Sequence, residues 1–130
     1  MKKLLRAAVT TMGFATASAM AGDFDGSKTL ICASEEAIEC TPGAPCSRGA
    51  PEALGAPNFM RIDFAAKAVV GPKRTSTIAA VEKTEAELLV QGTELGFGWT
   101  IALDQASGRM TVTLADREGA FVLFGVCTPL

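Results

Sequence analysis

Trp99-Thr100-Ile101-Ala102-Leu103-Asp104-Gln105-Ala106-Ser107-Gly108-Arg109-Met110-Thr111-Val112-Thr113-Leu114 is the stretch that decides the fold. Side chains alternate across a strand, so two strands in register share every second residue on one face. Setting Asp104 opposite Arg109 across the loop 105–108 places Leu103 against Met110, Ile101 against Val112 and Trp99 against Leu114. All these apolar pairs then lie on one face, and Thr100, Ala102, Thr111 and Thr113 take the other. A one-residue slip would oppose Ile101 to Thr111 or Thr113 and mix the faces. Gly108 supplies the positive φ that such a loop needs. The stretch predicts a β-hairpin with one apolar face.

Outward from this hairpin the pattern repeats. Asp116 to Gly119 is a polar turn, and Ala120–Cys127 reads as the last strand. That strand is apolar on both faces, with Phe121 and Leu123 on one and Val122, Phe124 and Val126 on the other. Periodicity does not say which points inward. In the other direction, the three glycines between Gly92 and Gly98 predict a turn or bulge. Thr75–Val81 and Glu87–Gln91 pair around Glu82–Ala86. Gly71-Pro72 breaks the run before them. Asn58–Asp63 alternates Met60 and Ile62 against Arg61 and Asp63, followed by a turn near Phe64–Lys67 and a strand to about Val70. This echoes the later hairpin; one long strand from Asn58 to Val70 is the alternative. Lys28–Cys32 is a short first strand. About eight strands joined by short turns predict an all-β antiparallel meander. Eight can close on themselves and so remove both edges. The expected fold is a small up-and-down barrel with one long disulfide-stapled loop, and a β-sandwich is the alternative.

The long loop is Ala33–Pro57, which holds Pro42, Pro45, Pro51 and Pro57. It is expected to contain only short helical turns near Ser34–Glu39, capped by Ser34, and near Pro51–Leu54. A surface barrel strand should alternate unless something covers its outer face. The loop is therefore expected to fold over the outside of the last strand and to pack Ile38 or Leu54 there.

The first residues read as a targeting segment. Lys2, Lys3 and Arg6 precede the mostly apolar run Ala7–Ala17, and Ala19-Met20-Ala21 fits a small-x-small cleavage site. The expected organisation is a signal peptide over 1–21 and one β domain over 22–130, in the periplasm or secreted. An uncleaved anchor is the rival reading, against which the run is shorter than a membrane span of about 20 residues. Without Lys2, Lys3 and Arg6 the basic count falls from 12 to 9 against 14 acidic residues, a net charge of −5. An acidic domain argues against nucleic acid and anionic membranes as partners, and no stable membrane insertion of the mature chain is expected.

Cys32, Cys40, Cys46 and Cys127 all lie in the domain. An even count behind an export signal predicts two disulfides, with three possible connectivities. Cys40–Cys46 with Cys32–Cys127 is favoured: one closes a short Pro/Gly loop, and the other ties the start of the fold to its end. A zinc site is the weaker alternative, since the spacing is wrong and histidine is absent.

Absences bound the chemistry. The chain has no histidine and no tyrosine, so a His base, a Ser-His-Asp set and a His-ligated metal are excluded. Disulfide cysteines are not nucleophiles. The carboxylates Glu82, Glu85, Asp104, Asp116 and Glu118 fall at turns and read as solvated. Asp23-Phe24-Asp25-Gly26-Ser27 opens like a calcium loop, but Ser34 stands where its twelfth-position glutamate belongs, so a loose terminus is the better reading. Lys73-Arg74 is a small basic cluster at a turn, read as a solubility feature. Trp99 reads as core rather than as a ligand platform. Arg48 and Glu52 in the cysteine-rich segment are the candidate partner surface. No cofactor and no enzymatic activity are expected.

Together, the export signal, the Cys32…Cys127 frame, Arg61-Ile62-Asp63-Phe64 and the ending Phe124-Gly125-Val126-Cys127-Thr128-Pro129 resemble small exported proteobacterial proteins of unassigned function. That likeness implies no activity. In outline the chain also resembles the periplasmic inhibitors of C-type lysozyme, which are small eight-stranded barrels. Ala106-Ser107-Gly108 is similar to their Ser-Gly loop, although Met110 and Thr111 stand where the family has a tyrosine. The leading expectation is an exported, non-catalytic binding or structural protein whose partner is an unknown protein or a small apolar ligand. A carrier of a small apolar ligand inside the barrel is the first alternative. An inhibitor of a lysozyme or another secreted hydrolase is the second.

Overall fold

The structure is a computed structural model that describes residues 22–130; the expected signal peptide, 1–21, lies outside the described residues. The strands are β1 (Leu30–Cys40), β2 (Ser47–Gly49), β3 (Phe59–Asp63), β4 (Ala68–Val70), β5 (Thr75–Lys83), β6 (Glu87–Glu94), β7 (Phe97–Asp104), β8 (Arg109–Ala115) and β9 (Ala120–Pro129). Every pairing is antiparallel. The order β1-β3-β4-β5-β6-β7-β8-β9 returns to β1 through a β1–β9 ladder, which closes an eight-stranded barrel. β2 lies outside that ring and pairs only with β1. The barrel expected from the spacing of strands and turns is the fold found.

The β7–β8 hairpin has the register its alternation demands: Leu103 opposes Met110, Ile101 opposes Val112 and Trp99 opposes Leu114. Trp99, Ile101, Leu103, Met110 and Val112 are buried, and Leu114 is half-buried against them. Sequestering each such side chain contributes roughly 1.5–3 kcal/mol before conformational entropy is subtracted. The Asp104 carboxylate accepts the backbone N–H groups of Ala106 (2.8 Å) and Ser107 (2.9 Å). Those bonds, Ser107's first, hold its carboxyl below the usual range. The β3–β4 connection matches this turn: Asp63 accepts the N–H of Ala66, and Lys67, like Gly108, has positive φ. The echo between the two stretches is thus a shared turn geometry, and the single-long-strand alternative is excluded.

Four local expectations are corrected. First, Ser34–Glu39 is not a helical turn. β1 runs on to Cys40 because Ala33–Cys40 finds a full ladder on β9, and a bulge between Ser34 and Glu36 absorbs the extra residue. The β9 ladder outweighs the helix-start chemistry of Ser34-Glu35-Glu36. Second, Ala33–Pro57 is not a cover for β9. Its first part joins the edge of β9, with Ile38 beside Val122 in the same sheet, and Phe124 and Val126 stay 38% and 40% exposed. The expected Pro51–Leu54 turn is present as a 3-10 helix, and Leu54 packs against the core instead. Third, Gly92 and Gly98 are strand residues; the turn is only Leu95-Gly96, both with positive φ. Fourth, Asp23–Ser27 is not a loose lead-in. Phe24 packs on the core, its ring where a Cβ on Gly108 would stand, and Gly26 sits against Leu88 and Phe64. Asp25 accepts the N–H of Ser27 at 2.9 Å; that residue's side-chain and backbone hydrogen bonds hold its carboxyl below the usual range.

The disulfides join Cys32 to Cys127 and Cys40 to Cys46. Cys32 and Cys127 face each other on β1 and β9, so the first bridge lies in the seam where the barrel closes. Among the described residues no helix is long and apolar enough to cross a membrane.

Candidate functional site

Inward side chains of β6–β9 fall into three rows set by the ladder. Leu88, Leu103 and Met110 form the first; Val90, Ile101, Val112 and Leu123 the second; Gly92, Trp99, Leu114 and Phe121 the third. The first row ends at Gly125 on β9, whose missing Cβ leaves room for the Met110 methyl and the Ala33 carbonyl. Near it the Cys32–Cys127 bridge fills the interior, with Cys127 Sγ 3.7 Å from Met110 Sδ. Phe24 closes this end from below.

The opposite end is hollow. A cavity of about 500 Å³ lies above the second row. Met60, Ile101, Val112 and Leu123 make its floor, and Val69, Trp99, Leu114 and Phe121 its walls. The third row leaves room for the void: Gly92 of β6 brings no side chain to it and its β9 end meets Glu39 of β1, while the buried Ile78 that pairs with Gly92 does not line this cavity. The Trp99 indole lies over Gly92, where an added Cβ would sit 2.2 Å from its ring. Trp99 is held there by its Nε1–H, which donates to Ser76 Oγ at 2.8 Å; Ser76 Oγ in turn donates to the Thr93 carbonyl at 3.2 Å. The indole is therefore satisfied from behind and gives the cavity an apolar face.

The rim has three parts. The segment after the 3-10 helix, Gly55–Asn58, forms one, the β4–β5 turn Gly71–Arg74 the second, and Glu94 with Phe97 of the β6–β7 hairpin the third. Its charged groups are Glu52, Lys73, Arg74 and Glu94.

The residues expected to form a partner surface lie on β2 and on the 3-10 helix. Arg48 on β2 donates to the Glu36 carboxylate of β1, whereas Glu52 stands at the cavity rim. Lys73-Arg74, read from sequence as a solubility feature, also stands at the rim. Trp99 is core as expected, and it is a wall of the cavity as well. Asp104 and Asp116 serve their own turns by accepting backbone N–H groups. Among the described residues no group of three or more His, Cys, Asp or Glu is arranged to hold a metal ion. The sequence reading missed Met60, Val69 and Phe121 as cavity residues. The usable signal was Gly92, which a two-residue Leu95-Gly96 turn would have placed opposite Trp99.

No family model matches the chain, and no characterised protein or solved structure shows significant similarity to it.

Proposed function

We propose that this is an exported binding protein without catalytic activity, and that it holds one small apolar ligand in the open end of its barrel. The observation that carries this reading is the cavity of about 500 Å³, apolar inside, closed below by packed side chains and open at the rim. Ligand sites of roughly 300–1,000 Å³ are typical for small molecules, and eight-stranded barrels stand at the size where the interior either fills or holds one. Supporting the non-catalytic part, the chain has no histidine, and its four cysteines are all in disulfides.

The test is titration of the purified protein with a neutral apolar fluorophore, N-phenyl-1-naphthylamine. Saturable enhancement at one site per chain is expected, and Leu114→Trp, which puts bulk into the cavity wall, should abolish it while the far-UV spectrum is kept. No enhancement, or enhancement that survives Leu114→Trp, overturns the reading.

A further inference from the structure

We propose that the ligand is a linear amphiphile with an anionic head, a medium-chain carboxylate in its simplest form, whose chain lies along Trp99 and whose head meets Lys73 and Arg74. This rests on the binding reading above and adds the chemistry of the ligand's polar end.

Size bounds the chain. At about 30 Å³ per heavy atom, the volume a water molecule takes in its liquid, 500 Å³ corresponds to about sixteen heavy atoms. A chain of about ten carbons with a head at the rim fits with the slack that real packing leaves. The interior offers such a molecule apolar contact and no open hydrogen-bond donor from Trp99, whose N–H is already used by Ser76. Any polar end must therefore stay at the rim.

The sign of that end follows from where the rim charges stand. Lys73 and Arg74 are consecutive, on one tight turn closed by the Gly71 N–H donating to the Arg74 carbonyl at 2.7 Å. Both side chains are exposed, and neither takes part in an ion pair among the described residues. The rim carboxylates do not converge in this way. Glu52 belongs to the 3-10 helix that contacts β1, and Glu94 ends β6, which lies four strands from β1 in either direction around the ring of eight. A cationic head would meet one carboxylate at a time; an anionic head meets two cations on a single turn. Exposed pairs of this kind are individually weak and are screened by salt. They select among heads; the chain supplies the affinity.

The experiment compares decanoate, decyl alcohol and decylammonium on the purified protein at low ionic strength. Binding is read from the fluorescence of Trp99, the only tryptophan. Decanoate is expected to bind about five-fold more tightly than decyl alcohol. The double substitution Lys73→Ser, Arg74→Ser should erase that preference, bringing decanoate to the level of the alcohol, and added salt should do the same to the parent protein. If the alcohol or the ammonium binds as well as decanoate, or if the double variant keeps the preference, the anionic head is refuted and the apolar site stands. If none of the three binds, the apolar site itself is refuted and this inference goes with it.

Discussion

Leu95 is the residue most at odds with its place. It is the first of two positive-φ positions in the β6–β7 turn, at φ 48°, and Gly96 follows at 86°. A side chain with a Cβ is disfavoured there, and asparagine followed by glycine is the pair such hairpin turns prefer. Leu95 is also 68% exposed, so it gains no burial in return. Leu95→Asn is expected to raise stability by about 1 kcal/mol, seen as a higher urea midpoint with an unchanged slope. Gly108 is the opposite case. Its φ of 74° suits glycine, and a Cβ would strike the Phe24 ring at 2.4 Å. The demand at Gly108 was legible because glycine announces it. Leu95 and Lys67 carry ordinary strand and turn residues at left-handed positions, and nothing local in the sequence marks them.

At the scale of elements, the hairpins were legible and β1 was not. A hairpin such as β7–β8 states its register twice, once in each strand. β1 draws its conformation from partners far away in the chain: β9 along its whole length, β3 beside its first half and β2 beside its second. Read alone, Ser34-Glu35-Glu36 looks like the start of a helix, and only the ladder makes it strand. β6 shows the same dependence, since Gly92 reads as a breaker until Trp99 is placed across from it. Gly92→Ala is expected to cost about 2 kcal/mol by overpacking, because the new methyl meets both the indole and the Thr77 carbonyl. Displacing the ring should also shift the emission of Trp99, which separates this mechanism from a mere change in strand propensity.

For the whole molecule, closure was legible and the cavity was not. An even number of short strands and a cysteine at each end of the domain point to a ring. Whether the ring is full depends on how rows from separate strands meet, which no single strand reveals. Closure also sets the expected weights of the two disulfides. Cys32–Cys127 spans a sequence separation of 95 and Cys40–Cys46 one of 6. By chain entropy, removing the first by double alanine substitution should lower stability by about 4–5 kcal/mol and removing the second by about 2, read from denaturant midpoints. The seam has a further consequence, for the order of events as the chain emerges. β1 comes out first, yet its principal neighbour is the last strand to appear. Until then Cys32 has only Cys40 and Cys46 within reach, and either would be a wrong partner. Ring closure over few residues is fast and over many is slow. Once Cys40 is joined to Cys46 neither can compete, and Cys127 is the one partner left for the Cys32 thiol.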